Sequence, residues 1–426
     1  MKRFVICLLL AIPTTRLAVA QSLDECRRLA REHYPEIRQY DLIAQTEEYD
    51  LSNAARAWIP QIVLSGQAMW QNVAVNFPEA FSEMLAQQGL HIPGMRKDQY
   101  KVALDVSQTI WDGGQSKANR TIAEADAAEQ RSRLDVSLYD LQARVDGLYF
   151  GILLLDEQVA QVEAKIGLLE SNLSRMQVYR KNGVAMQADV DAVEAELLAS
   201  RQSLGQIEAS RASYRRMLEL FIGCRLRDDA LERPVLCEAK SHLSAHPQLA
   251  WFDAQHEKLE ARRDAVRSSL TPRFSAFAQG FYGYPGLDMF KSMVSADWQL
   301  NAIVGVRMSW NIGAFYTKRN NLGKIDAAQR QIDVQRDIFL FNTQVQTAQD
   351  DGEIARLHKA LTEDTRIVEL RRSVRMAAES KLENGVIDAT DLLQKITDET
   401  SAILNRSTHE IELLQAVYRL KHTLNQ

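Results

Sequence analysis

From Leu134 to Met176 the chain reads LDVSLYDLQARVDGLYFGILLLDEQVAQVEAKIGLLESNLSRM. Leu134, Leu138, Leu141, Val145, Leu148, Ile152, Leu155, Val159, Val162, Ile166, Leu169, Leu173 and Met176 follow one another in alternating steps of four and three without a miss. This is a sustained a/d seam, the pattern of helices that pack along their whole length. Residues 115–181 contain no proline and few glycines, so the spacing predicts one helix there, roughly 100 Å long at about 1.5 Å per residue. No compact globular domain has a core that deep. The next helix continues the seam through Val190, Val193, Leu197, Leu204, Ile207, Tyr214, Leu218 and Phe221, missing only at Ser200 and Arg211. Between them lies Lys181-Asn182-Gly183. Asn or Gly supplies the left-handed residue a helix end needs, so the two helices are expected to fold back as an antiparallel coiled coil.

The same plan occurs again. Pro35 pairs with Pro247, Pro60 with Pro272 and Gln67 with Gln279 at one constant offset; Trp111 and Gly114 pair with Trp310 and Gly313 at another. Asn182-Gly183-Val184 and Asp189 pair with Asn384-Gly385-Val386 and Asp391 at a third. Offsets that hold within blocks and change only between them point to duplication with altered loop lengths. The expected organisation is a leader at 1–20, a first structural repeat at 21–222, a linker at 223–241 and a second repeat at 242–426. The second seam is sparser but keeps seven-residue steps through Ile325, Ile332 and Phe339, then Ile354, Leu361 and Val368.

Ahead of each long helix the period changes to two. Leu64, Gly66, Ala68 and Trp70 interleave with Ser65, Gln67, Met69 and Gln71, and Tyr100, Val102, Leu104 and Val106 with Lys101, Ala103, Asp105 and Ser107. Leu300, Ala302, Val304, Val306 and Met308 alternate in the same way in the second copy, whereas 273–284 is apolar on both faces. Strands are expected at 61–76, 99–112, 273–284 and 299–311. One apolar and one mostly polar face is the pattern of a transmembrane barrel strand, although a half-buried soluble sheet shares it. Trp111 and Trp310 close the second strand of each copy on the helix side, and Trp70 and Trp298 sit toward the loop side. Those are the two girdle heights of a membrane interface.

The ends and the composition agree with export. Lys2 and Arg3 precede a short apolar run, Phe4 to Ile12, and Ala18-Val19-Ala20 is a small-x-small cleavage site, so the mature chain is expected to begin at Gln21. No cysteine follows that point to carry a lipid, and Cys7 lies within the leader. The formal balance of −5 becomes more acidic once Lys2, Arg3 and Arg16 are removed, and the absence of a basic stripe argues against nucleic acid. Cys224 and Cys237 flank a short polar stretch and could pair, leaving Cys26 over; three independent small buried residues fit the spacing equally well. Past the leader no apolar run reaches the about 18 residues of a spanning helix. Four strands cannot close a barrel, and open sheet edges are not tolerated in hydrocarbon. Strands in a membrane therefore require several chains to share one barrel.

The repeat, the Ser107-Gln108-Thr109-Ile110-Trp111-Asp112-Gly113-Gly114 strand end running into a long helix, and the Asn-Gly-Val tips followed by Asp189 and Asp391 resemble the TolC family of outer-membrane efflux proteins. The resemblance covers essentially the whole mature chain. It implies a mixed α/β membrane protein, with long antiparallel coiled-coil helices forming a periplasmic tunnel. Four β-strands per chain would contribute to a shared trimeric twelve-stranded β-barrel. It also implies an outer-membrane channel of a tripartite efflux or type I secretion system: a passive homotrimeric conduit gated at its periplasmic tips, in outer-membrane lipid. Its partners would be a periplasmic adaptor (membrane fusion) protein and an inner-membrane pump of RND, ABC or MFS type. No enzyme, cofactor or metal is expected. A periplasmic coiled-coil scaffold or adaptor without a pore is the alternative; it explains the leader and the helices but not the duplicated, Trp-flanked hairpins.

In that family, acidic residues just after the second helical turn ring the closed periplasmic mouth. Counting from Gly385 puts Asp391 on one such position and Gln394 on the other, where this chain departs from the pattern. Asp388 is a nearby candidate to compensate, and Asp189 is the first copy's counterpart. Carboxylates converging on an axis repel unless hydrated or bound to cations, so a ring would select for cations. Equally, Asp391 can be a helix-start carboxylate favoured by the dipole. The arginine near the turn that latches some members is missing. Asn182, Gly183 and Val184, with Asn384, Gly385 and Val386, match the turns where family members meet the adaptor. His242 and His246 are spaced i, i+4, but no general base accompanies them, and a solvated pair is the expected reading.

Overall fold

The computed structural model describes residues 22–89, 92–227, 231–236, 245–384 and 386–425. The leader, Cys237 with its pairing to Cys224, His242 and Gly385 lie outside the described residues. Along the first half run α1 (Leu23–His33), α2 (Gln39–Arg56), β1 (Gln61–Trp70), α3 (Glu79–Gln87), β2 (Asp98–Trp111), α4 (Gln115–Lys181) and α5 (Gln187–Ile222). Along the second run α6 (Pro247–Ser268), β3 (Arg273–Tyr284), α7 (Met289–Val294), β4 (Gln299–Ser309), α8 (Ala314–Glu383) and α9 (Ala389–Leu424). The chain is mostly helical, with one antiparallel sheet in the order β1-β2-β3-β4. Two compact units form, and each draws segments from both halves of the sequence.

One unit comprises Asp41–Arg131 and Phe252–Val334 and holds the sheet. The register resolves the faces. Leu64 pairs with Leu104, Leu104 with Gly280 and Gly280 with Ala302; Ile62, Val106, Ala278 and Val304 form the next such row. Directly opposed residues share a face, so this side is apolar across all four strands. The other side carries Ser65, Ala103, Phe281 and Asn301 in one row and Val63, Asp105, Gln279 and Ile303 in the next. Strand β3, apolar on both sides in sequence, fits this division because cations cover its aromatics on the polar side. Lys101 lies 4.3 Å from the Phe281 ring and Arg307 4.8 Å from the Phe277 ring. Such contacts stabilise a cation over the ring face.

One expected boundary is corrected here. The first strand stops at Trp70 instead of 76, because its register partner Asp98 is where β2 begins and the chain enters α3 after Pro78. The span 77–98 therefore contains a short helix. At the helix end, the register shifts between Thr109 and Trp111. The extra residue moves Trp111 onto the apolar side beside Phe274, with ring centroids 6.0 Å apart, where unbroken alternation would have put it with Asp105 and Ser107. Asp112 then starts α4 by accepting from the backbone N–H groups of Gly114 (2.9 Å) and Ser116 (2.6 Å). Gly113 holds φ at +70°, and a Cβ there would fall 1.7 Å from Thr271 Oγ1, so only glycine fits.

The other unit comprises the described parts of Met1–Tyr40, Ser132–Trp251 and Gln335–Gln426. The seam quoted above is its core: Leu138, Val145, Ile152 and Leu169 are closed to solvent together with Leu218, Leu357 and Ile411. A buried Asp146 is accommodated because Arg27 donates to both of its oxygens, at 2.7 and 2.6 Å. This is the fork geometry that stabilises a desolvated carboxylate. Among the described residues no helix is long and apolar enough to cross a membrane.

Candidate functional site

Both helical hairpins end in a turn built from backbone. At the first, Val184 N–H donates to Tyr179 O (2.8 Å) and Gly183 N–H to Arg180 O (3.0 Å), with Gly183 at φ +76°. These are the two bonds of a Schellman motif, which satisfies carbonyls left over at the end of α4. At the second, Val386 N–H donates to Lys381 O (2.9 Å) and Asn384 Nδ2 to Ser380 O (2.8 Å). Behind the turns Met176, Val190, Val193 and Ala389 make one buried cluster against Tyr179 and Leu382, so all four long helices share a core. Val184, Met186 and Val386 stand exposed in front of it.

The acidic candidates fall into two groups. Asp388 is the N-cap of α9, and its Oδ1 accepts from Asp391 N–H at 2.8 Å. Asp189 reaches back to Met186 N–H at 2.8 Å as the third residue of α5. Both carboxylates satisfy helix-start donors. Asp391 and Gln394 are exposed, and Gln394 Nε2 donates to Asp398 Oδ1 at 2.9 Å. On α9, Leu392 and Ile396 face the core while Asp391, Gln394, Asp398, Ser401 and Asn405 recur at three- and four-residue steps on the opposite side. That side is polar throughout.

Sequence reading missed a set of ion pairs just behind the turn. Glu399 on α9 is buried and accepts from Arg375 Nε and, at 3.3 Å, from Arg372 Nε; Arg375 also meets Glu379 at 2.7 Å. Arg371 pairs with Asp398 at 2.8 Å, and Arg175 of α4 reaches Glu383 of α8 at 3.5 Å. The arginines that hold this hairpin thus lie further up α8, not beside the turn. A signal existed: Arg371, Arg372 and Arg375 stand about as far before the turn as Asp398 and Glu399 stand after it.

The four tryptophans mark the two ends of the sheet. Trp298 is 5.3 Å from Tyr282 and 6.2 Å from Tyr100 by ring centroids, and Trp70 is paired in register with Asp98 at the same end. At the other end are Trp111 with Phe274, and Trp310, whose Nε1 donates to Leu270 O at 2.8 Å. Among the described residues no group of three or more His, Cys, Asp or Glu side chains could hold a metal. His246 is buried against Tyr139, and its Nδ1 accepts from Gln248 N–H at the start of α6.

Residues 27–223 match the family model described as outer membrane efflux protein. Over nearly the whole chain the fold is similar to solved channels. It is similar to the outer membrane protein VceC from the bacterial pathogen Vibrio cholerae, at 14% identity, with a TM-score of 0.68 and 94% of this chain and 95% of that one covered. It is also similar to CusC, whose structures concern folding and transmembrane channel formation, at 13% identity, with a TM-score of 0.70 and coverage of 95% and 92%. The open state of the Neisseria gonorrhoeae MtrE outer membrane channel is similar at 15% identity, with a TM-score of 0.66 and coverage of 95% and 89%. No curated protein sequence matches the chain.

Proposed function

We propose that this chain, whose residues 27–223 belong to the outer membrane efflux protein family, is one protomer of a homotrimeric, passive outer-membrane channel. The observation that carries the reading is a sheet with one face apolar except for Gln108 at its helix end, and two open edges, β1 and β4. In hydrocarbon each unpaired backbone group costs several kcal/mol, so edge β1 must meet edge β4 of another copy. The apolar face then meets lipid and the polar face lines the pore. From Tyr100 to Trp111 the strand rises roughly 28 Å at about 3.4 Å per residue and about 40° of tilt, near the about 25 Å apolar band of such barrels. Helix α8 supports association as well: Ile338, Phe341 and Val345, and then Ile367, Leu370 and Val374, are exposed at a/d spacing and need a partner surface.

In this reading the polar stripe of α9 faces the axis of the periplasmic tunnel, and Asp391 forms the constriction with its symmetry mates. Asp388 and Asp189 shape the helix starts behind it. The exposed Val184, Met186 and Val386 meet a periplasmic adaptor, which couples the channel to an inner-membrane pump of RND, ABC or MFS type in an efflux or type I secretion assembly. The test is the mass of the detergent-extracted protein. Three copies of the mature chain are expected; a monomer, or a protein that stays dispersed without detergent, would overturn the reading.

A further inference from the structure

At the helix end of the sheet, in the unit that holds it, α2 and the start of α4 enclose a groove of about 510 Å³. That volume is in the range of small-molecule sites. Its walls are Ala54 from the last turn of α2 and Trp58 just beyond it, Trp111 from the end of β2, and Lys117 and Arg120 from the first turns of α4. Both indoles are substantially exposed. The bulge that turns Trp111 onto the apolar face makes the groove continuous with that face. Lys117 has no carboxylate partner among the described residues, and Arg120 gives its Nε to Glu124 at 3.0 Å. The one acid in the lining, Asp112, is turned away toward the backbone N–H groups of Gly114 and Ser116. The groove therefore presents Lys117 free of a carboxylate and Arg120 shared with Glu124, flanked by two indoles and sited where an apolar surface gives way to a polar one.

We propose that this groove seats the phosphate-bearing headgroup of an anionic phospholipid from the leaflet at the helix end of the sheet. Acyl chains would lie on the apolar face along Val106, the indoles would sit at the glycerol level as interfacial aromatics do, and Lys117 and Arg120 would hold the phosphate. A free phosphate ion offers the same charge but nothing for the indoles or the apolar face, so the lipid is the ligand the surface fits. The proposal rests on the sheet being membrane-embedded.

The test is native mass spectrometry of the full-length protein in detergent with equal amounts of phosphatidylglycerol and phosphatidylcholine. Phosphatidylglycerol should be retained preferentially. K117Q/R120Q, two changes at exposed positions, should keep the assembly mass and lose about fivefold in retention for each cation removed. Excess inorganic phosphate should leave the adducts in place. Equal retention of the two lipids, an unchanged preference in K117Q/R120Q, or displacement by inorganic phosphate would each overturn the headgroup seat. If the protein needs detergent yet shows no preference, only this proposal fails. If it stays dispersed without detergent, the membrane reading fails and the seat with it.

Discussion

Replacing Glu399 by alanine tests whether the α8–α9 hairpin is closed by its buried ion pair. The side chains of Glu399 and Arg375 are 7% and 15% exposed, whereas Arg372 is 62% exposed. Removing one partner of a buried pair costs about 3–5 kcal/mol, because the other charge is left desolvated. Two features place E399A at the lower end. Arg372 regains water, and Arg375 keeps Glu379 on its own helix. A cost of about 3 kcal/mol raises the equilibrium for opening the hairpin by on the order of a hundredfold. The neighbouring Arg371–Asp398 pair, with side chains 47% and 22% exposed, is a built-in comparison. A solvated pair contributes less than about 1 kcal/mol, so D398N should raise opening by less than about fivefold. Hydrogen exchange of the detergent-extracted protein reads both, in peptides covering residues 371–400. Exchange there should quicken about a hundredfold in E399A while peptides of α6 stay as in the native protein. If E399A remains within about fivefold of native, or D398N matches it, the hairpin is held by its apolar cluster and the ion pair adds little.

Three further outcomes are expected. D391N should lower cation selectivity and weaken block by multivalent cations in planar bilayers, Q394D should do the opposite, and D189N, whose carboxylate is engaged by Met186 N–H, should change less; unchanged selectivity in D391N would make Asp391 only a helix-start carboxylate. A tag inserted near Gln87 should be labelled on intact cells and one at Asn384 should not, and the reverse pattern would reject the orientation. The helical unit should also lose stability on acidification. Burial pushes His246 and His422 down to about 4, with the charge of His422 adding to the first and the Arg27 guanidinium to the second. Unfolded histidines protonate near about 6.5, so the unfolded chain takes up protons first as pH falls, and stability drops between about pH 6.5 and 4 and levels off below. H422F keeps an aromatic ring against Tyr139, 4.2 Å away by centroids, and should flatten that decline in a pH series of thermal melts; an unchanged slope would show that His422 does not carry it.

Much of the fold is legible because it is periodic. An a/d seam from Leu134 to Met176 leaves no arrangement but a long packed helix, and every residue quoted in it is at least half-buried. The strand faces were legible only while alternation held. Trp111 changed sides through a bulge that depends on how β2 meets Phe274, a partner from the other half of the chain, and no local pattern encodes that. The ion pairs behind the turn lie between these cases. Arg375 and Glu399 can be matched by counting outward from Asn384 once the turn is known to be tight. Arg175 and Glu383 join different hairpins, so no counting from a turn brings them together.

In the proposed channel, a residue that lines the bore at the tip reads much like an ordinary one. A carboxylate that serves its own helix is revealed by its donor, as Asp388 and Asp189 are by Asp391 N–H and Met186 N–H. A carboxylate that serves an axis has no donor within its chain, because what faces it is its own copy. Asp391 fits that description: its side chain is exposed, and among the described residues its carboxylate accepts no hydrogen bond, while its own N–H is taken by Asp388. The surrounding stripe of Gln394, Asp398, Ser401 and Asn405 is the informative feature. α8, its partner in the same hairpin, exposes Ile367, Leu370 and Val374 in need of a neighbour, while α9 offers a neighbour nothing apolar along this side. Two helices of one hairpin, one dry-faced and one wet-faced, are what a wall between a subunit contact and a water-filled bore requires, and this contrast supports the proposal that α9 faces the axis.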